Sequence, residues 1–283
     1  GFSGKEYVFD FSRSNPQRLH IFSFEASTVQ VFRGATLITT QVLAAGTGTA
    51  TPINITTFGS YKIVSDGLII AFKDGNVNSD PMVLSPATQE IIGFPSNSAK
   101  FGVFDTGVSI LSSYATGTPT TASYNQGTSY SFGSTGSLYS GSAHKLTGNM
   151  GHKIGANSYA DSNGGCSASY ASTSKFFKRY LLPGNSEWVA IAATEAMSIE
   201  IVNAATGVVE STTALTGSAA NGVFYRKFTN TNQGRIFRAV DPSKKFAMWW
   251  EPKSTTSYMY NDDESIIYHF EREIREIVLD SFE

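Results

Sequence analysis

Short runs of apolar and β-branched residues alternate with turn-forming residues along most of the chain. The first two runs cover residues 7–11 and 19–24, and a turn-forming stretch at 13–16 separates them. Similar runs follow at 28–32, 36–43, 61–64, 68–72, 81–84 and 90–94. Many short strands separated by turns are typical of sandwiches and barrels. The pattern therefore predicts an all-β protein.

Two parts of the chain resemble each other at a constant offset. Residues 24–32 (FEASTVQVF) match residues 194–202 (TEAMSIEIV), with Glu-Ala followed by a hydroxyl residue and alternating β-branched positions. Weaker matches continue the parallel, including apolar strands after Asp66 and after Asp241. We therefore predict two related β-sandwich-like domains, at residues 1–98 and 185–270. Chance similarity between strands is the alternative explanation.

The segment between the two copies has a different composition. Residues 106–144 contain no Asp, Glu, Lys or Arg and are mostly Ser, Gly, Thr and Ala. Aromatic side chains are spaced along it, at Tyr114, Tyr124, Tyr130, Phe132 and Tyr139. Such residues are a solubility liability in a flexible linker unless they pack or bind. We predict a Gly/Ser/Tyr-rich segment of strands and loops over 99–184 whose aromatic residues are candidate contacts. A disordered linker and a ligand-facing loop are the alternatives.

The last residues are typical of a helix. Residues 271–280 (EREIREIVLD) carry opposite charges four positions apart, and their apolar residues fall on one side of a helix. We predict a short amphipathic helix over 271–283, with Ile274 and Ile277 as candidate contacts to a neighbouring subunit. The apolar side could equally pack on its own domain, or a strand could continue from Ile266.

Charge and composition exclude several classes of protein. The chain has 21 basic and 23 acidic residues, so a broad basic face for nucleic acid is not expected. Its longest apolar runs, such as 68–72 and 188–193, are too short to cross a bilayer, so no membrane insertion is expected. One cysteine, Cys166, cannot form an intrachain disulfide. The first six residues lack the apolar stretch of a signal peptide.

No motif for catalysis, cofactor binding or metal binding stands out. The four histidines, at positions 20, 144, 152 and 269, have no metal-site spacing. The sequence lacks a Gly-x-Ser-x-Gly elbow and the common nucleotide-binding loops. The acidic cluster at 262–264 is interpreted as a solvated turn, with calcium binding, an interface or catalysis as alternatives. We therefore predict no catalytic residues, no cofactor and no metal.

Two further groups of residues are candidate contacts. Phe176, Phe177 and Arg179 belong to a stretch of interleaved aromatic and basic residues, which suits interface anchoring because such residues are enriched at contact cores. Nucleic-acid binding is the weaker interpretation, since no wider positive field surrounds them. Trp249 and Trp250 are adjacent, so on a strand one ring can enter the core while the other meets a partner.

A resemblance to a known family adds to this interpretation. Aspartate-bearing turns lead into apolar strands at 64–67 and 239–242, and a Leu-Leu-Pro segment at 181–183 precedes the second copy. These features resemble the β-sandwich modules of bacterial surface proteins of the IgGFc-binding type, which also recur in large phage virion proteins. The resemblance covers about 170 residues, leaves the Tyr/Ser/Gly segment without a counterpart and carries over no catalytic residues. It implies adhesive or architectural work.

We therefore expect a non-enzymatic structural component of a virion, assembled in the host cytoplasm, from a bacteriophage tail, fibre, neck or capsid decoration. Its expected partners are other virion subunits and further copies of itself as a homo-oligomer. A receptor- or glycan-binding adhesion module, contacting a host cell-surface glycan or protein, is the first alternative. A carbohydrate-active enzyme on a β-sandwich is the second.

Overall fold

A computed structural model describes residues 2–11, 17–75, 82–95, 99–132, 142–159 and 167–252. These residues form antiparallel sheets and two short 3₁₀ turns, at Asn149–Gly151 and Thr173–Lys175, which confirms the predicted all-β fold. The helix predicted over 271–283 lies outside the described residues. Within the described ranges, no helix has the length and apolar character needed to span a membrane.

The chain divides into two compact units. Unit 1 contains Gly1–Ser112 and Pro119–Ser172, and unit 2 contains Ser113–Thr118 and Thr173–Glu283. The domain limits predicted at residues 98, 184 and 270 stay predictions, and the two units are described separately.

Unit 1 begins with an eight-stranded sheet. Its strands are β1 (Gly4–Phe11), β2 (Gln17–Ser23), β3 (Ser27–Arg33), β4 (Thr36–Leu43), β5 (Thr47–Gly48), β6 (Ile53–Ile55), β7 (Gly59–Gly75) and β8 (Met82–Val83). The order is β4-β3-β7-β2-β5, with β1 and β8 also paired to β7 and β6 paired to β2. The first half of β7 pairs with β1 and β3, and its second half pairs with β2 and β8. The long strand β7 therefore connects the β1–β3–β4 side of the sheet with the β2–β8 side.

Alternation of side chains builds the core of this sheet. Along β2 every second residue is buried, and Leu19 and Ile21 are almost fully covered. Successive side chains of a strand point to opposite faces, so one apolar face closes on the core. The inward residues of β1, β3 and β7 join the same cluster, which includes Phe9, Val31 and Ile63.

A second pair of sheets completes unit 1. Its strands are β9 (Glu90–Gly93), β10 (Lys100–Val103), β11 (Val108–Tyr114), β12 (Thr120–Tyr124), β13 (Tyr130–Ser131), β14 (His144–Gly148), β15 (Ile154–Tyr159), β16 (Ser167–Ser169) and β17 (Ala171–Ser172). The last two residues of β11 are assigned to unit 2. The sheet orders are β13-β10-β15-β16 and β12-β11-β14-β9-β17. Both sheets contribute to one apolar cluster that includes Phe101, Ile110 and Ile154. The predicted strand-and-loop segment therefore contributes to a second hydrophobic core. The sequence pattern did not predict this core.

The two halves of unit 1 approach closely at a glycine. A Cβ atom at Gly155 of β15 would overlap the backbone carbonyl oxygen of Val8 in β1. Only glycine allows a backbone approach of this kind.

Unit 2 is a sandwich of two four-stranded sheets. Its strands are β18 (Arg179–Leu182), β19 (Ser186–Ala193), β20 (Ser198–Asn203), β21 (Val209–Ala214), β22 (Thr216–Ser218), β23 (Val223–Thr231), β24 (Arg235–Ala239) and β25 (Ala247–Pro252). The orders are β18-β24-β20-β21 and β22-β23-β19-β25. Both sheets bury apolar side chains in one cluster, which includes Ile191, Ile201 and Phe237.

Strand pairing in unit 2 repeats that of the first sheet of unit 1. β20 lies between β21 and β24 as β3 lies between β4 and β7, and β18 pairs with β24 as β1 pairs with β7. A buried tyrosine hydroxyl occupies the same position in each: Tyr7 donates to the Ile69 carbonyl (2.6 Å) and Tyr180 to the Phe246 carbonyl (2.8 Å). The strands formed by the matched sequence segments, β3 and β20, therefore occupy equivalent positions in their sheets.

The two aspartate-bearing segments differ in conformation. β24 ends at Ala239, so residues 240–242 lie outside the strand. There the Asp241 carboxylate accepts hydrogen bonds from the backbone N–H and the hydroxyl of Ser243. The turn predicted at 64–67 is wrong, because these residues lie inside β7. There the Asp66 carboxylate accepts a hydrogen bond from the Thr28 N–H (2.7 Å), which holds it against β3. Proline at 242 lacks the N–H that a continuous strand uses.

Candidate functional site

Aromatic rings in the second half of unit 1 form a continuous series. Tyr124 and Tyr130 meet edge to face at 4.6 Å, and the Phe101 ring lies 4.9 Å and 5.5 Å from them. Phe101 then stacks on Phe132 at 5.1 Å, and Phe132 stacks on Tyr170 at 5.4 Å. The series runs from half-exposed rings to fully buried ones, so it anchors β12 and β13 to the core.

A serine, a histidine and a tyrosine meet at the buried end of the series. Ser112 Oγ is hydrogen-bonded to His144 Nε2 at 2.7 Å, and His144 Nδ1 lies 3.2 Å from the Tyr170 hydroxyl. A Cβ atom at Gly93 would lie 2.5 Å from the Tyr170 ring, so the glycine in β9 makes room for the tyrosine.

The trio resembles a nucleophile with its base, but its electrostatics favour a structural role. Burial lowers the pKa of His144 to about 3, and the ring is completely covered. An efficient general base has a pKa near the working pH and reaches its substrate. The imidazole is neutral at pH 7, which suits a core that hydrogen-bonds both ring nitrogens.

The candidate contact residues of the Tyr/Ser/Gly segment, which lies between the two matched parts of the sequence, have different environments. Tyr124 and Tyr130 are half-buried, whereas Phe132 is only 8% exposed and belongs to the core. Tyr114 is half-buried, and burial raises the pKa of its hydroxyl. Tyr139 lies outside the described residues. Whether these residues meet a partner stays a prediction.

The remaining predicted contacts that the structure describes belong, like Tyr114, to unit 2. Phe176 and Trp250 are 6% and 9% exposed and therefore offer little surface. Phe177 and Trp249 are half-buried, and Arg179 is exposed. The adjacent tryptophans thus differ in burial, as strand alternation predicts. Ile274 and Ile277 lie outside the described ranges.

Each unit has exposed edge strands that the sequence analysis did not single out. Each of β4, β12 and β21 lies at the end of its sheet, and most of its side chains are exposed. Their sequences are TLITTQVL, TTASY and VESTTA, with one charged residue, Glu210, among them. An exposed edge offers unpaired N–H and C=O groups to another chain. The signal in the sequence was the run of uncharged β-branched residues at 36–43.

Charges near the edge of unit 2 are paired with one another. Arg235 Nε donates to Glu210 at 2.7 Å, and Arg238 contacts Glu200 at 2.8 Å. These exposed pairs contribute little stability. They neutralise charge on the sheet that ends in β21.

No protein-family model matches the sequence, and no curated protein is significantly similar to it. No group of three or more potential metal-ligating side chains occurs among the described residues.

Proposed function

We propose that this chain is a non-enzymatic structural component that acts through subunit contacts of its β-sheets. The observation that carries the proposal is the set of three exposed, nearly uncharged edge strands, β4, β12 and β21. Natural sheets usually protect such edges with charges, proline or a covering segment. Edges that lack this protection suit a protein whose edges are covered by other subunits.

The proposed setting is a virion, as part of a bacteriophage tail, fibre, neck or capsid decoration. The aspartate-bearing turn at 239–242 and the Leu-Leu-Pro segment at 181–183 support this setting through their resemblance to modules of virion and bacterial surface proteins. Three apolar clusters, two in unit 1 and one in unit 2, supply rigid β blocks on which such contacts can be built.

Assembly state and particle content test this proposal. We expect light scattering after size exclusion to show oligomers of the purified chain, and mass spectrometry of purified phage particles to detect the chain at a fixed copy number. A chain that is strictly monomeric at high concentration and absent from particles would refute the proposal.

An adhesion module is the second candidate, because two tyrosines present half-exposed rings at one place. Tyr124 and Tyr130 flank a turn, and the Asn125 N–H donates to the Tyr130 hydroxyl at 2.9 Å. Rings of this kind can stack on a sugar. Binding to a glycan array that is lost in Tyr130→Ala but retained in Tyr225→Ala would favour this candidate, and a blank array would exclude it.

A further inference from the structure

β4 is the longest exposed edge strand in the part of the chain that the structure describes. It has eight residues and pairs with β3 along one side, and no described strand pairs with its other side. Five of its side chains are exposed, and Val42 keeps 80% of its surface accessible. Its outer backbone groups are therefore available for a further strand.

The sequence of β4 lacks most of the devices that prevent pairing at an edge. It contains no charged residue, no proline and no glycine, and its one irregularity is a bulge at residue 38. The equivalent strand in unit 2, β21, carries Glu210 within an ion pair. A long uncharged edge of β-branched residues is a pairing site unless something covers it.

β4 is also chemically complementary to itself. When two copies run antiparallel with Thr40 opposite Thr40, Thr39 faces Gln41 and Ile38 faces Val42. Leu43 is buried in its own unit and Leu37 lies beyond the bulge at residue 38, so neither belongs to the pairing. Polar residues then meet polar ones and apolar residues meet apolar ones. Opposed apolar pairs stabilise antiparallel strands, and no like charges oppose each other.

We propose that β4 pairs with β4 of a second copy of this chain, antiparallel and centred on Thr40, so that one sheet continues across a two-fold axis. The inference rests on the proposed function, because it names the partner for one of the edges on which that function depends. A two-fold contact uses the same surface on both copies, which a self-complementary strand satisfies.

The β3–β4 hairpin is held in place within its own unit. Its turn contacts a second turn of unit 1, where a Cβ atom at Gly127 would lie 2.8 Å from the Gly34 Cα. Arg33 Nε donates to the Phe58 carbonyl at 2.9 Å. The edge is therefore presented in a fixed geometry, which lowers the entropic cost of pairing.

A charge placed at the centre of the strand tests the interface. In Thr40→Lys the new ammonium groups of the two copies would face each other across the axis. We expect the wild-type chain to show a reversible monomer–dimer equilibrium by sedimentation velocity, and the variant to raise the dissociation constant by about tenfold or more. Thr212→Lys, at an exposed position of β21, is the matched control and should change it by less than about twofold.

Cross-linking gives a second measurement that does not depend on the lysine variant. In a Cys166→Ser background, Thr40→Cys should form a disulfide-linked dimer on mild oxidation, because opposed strand residues lie within disulfide distance. Thr212→Cys should not.

The outcomes separate the inference from the proposed function. A wild-type oligomer that Thr40→Lys leaves intact, together with no cross-link in Thr40→Cys, overturns the β4 interface and leaves the proposed function standing. A wild-type monomer at all concentrations also overturns the interface, and the particle measurement above then decides the proposed function. Protection of the β4 amides from hydrogen exchange in such a monomer would assign the edge to a different occupant.

Discussion

Acidification should destabilise unit 1 through a single buried histidine. Burial lowers the pKa of His144 from 6.5 to about 3, so the folded chain takes up this proton only in strong acid. The unfolded chain takes it up near pH 6.5. Between these values the unfolded state binds more protons, so stability falls as the pH falls from 6.5 towards 3.

The size of the effect follows from linkage. One proton bound only by the unfolded state lowers the free energy of unfolding by about 1.4 kcal/mol for each pH unit below 6.5. At pH 4.5 the loss amounts to about 3 kcal/mol relative to pH 7.5. A loss of this size is a large part of the stability of an ordinary domain.

Comparison with His144→Gln isolates this contribution. The variant loses the edge-to-face contact with the Phe132 ring (4.7 Å), so it should be less stable than the wild type at pH 7.5. It takes up no proton at this position, so the difference between the two proteins should narrow by about 3 kcal/mol at pH 4.5. Hydrogen exchange of peptides from β9 and β14 measures the stability of unit 1. All three tryptophans lie in unit 2, so their fluorescence serves as an internal control.

Two results would refute this reasoning. One is a stability difference between wild type and variant that stays constant from pH 7.5 to 4.5. The other is an NMR titration in which the His144 ring resonances shift with a midpoint near pH 6.5 in the folded protein. Either result would mean that the imidazole is charged at little cost inside unit 1.

Three shorter predictions concern packing, hydrogen bonding and the titration of a lysine. Gly155→Ala should lower the free energy of unfolding of unit 1 by about 1–3 kcal/mol, because its Cβ would overlap a backbone oxygen of β1. Gly184→Ala is the control, because its Cβ would lie 3.6 Å from the Trp250 ring, and it should change the free energy of unfolding little in a urea titration. Equal losses of stability in the two variants would contradict the packing argument. Tyr7→Phe and Tyr180→Phe should each cost about 1 kcal/mol, since each removes a buried hydrogen bond, and a cost in one alone would contradict their equivalence. Burial lowers the pKa of Lys227 to about 8, so an NMR titration of its side chain should have a midpoint near pH 8, and a midpoint near 10.5 would refute this.

Strands with one buried face could be predicted from the sequence because alternation is a local signal. β3 and β20 bury Val29, Val31, Ile199 and Ile201 at every second position, and this pattern is visible in the matched segments. The merging of two predicted strands into β7 was not visible. It depends on hydrogen bonds across the sheet, such as the one from the Leu68 N–H to the Glu25 carboxylate at 2.6 Å.

The second core of unit 1 was not predictable from local pattern for a related reason. Its members, such as Ile91, Phe101, Ile110 and Ile154, lie on short strands that are far apart in the sequence. Each strand contributes one or two apolar residues among serines, threonines and glycines. Only the pairing of β9 with β14 and of β10 with β15 brings them together.

The prediction of contact residues depended on aromatic side chains, and the packing of this chain limits that criterion. In a sequence of small polar residues, large rings are the side chains with enough apolar surface to build a core. Phe132, Phe176 and Trp250 are therefore largely buried. The side chains of threonine- and valine-rich edge strands such as β4 are exposed instead. Contacts made there use backbone hydrogen bonds and β-branched side chains more than rings. A search for partners of this chain should accordingly begin at its sheet edges.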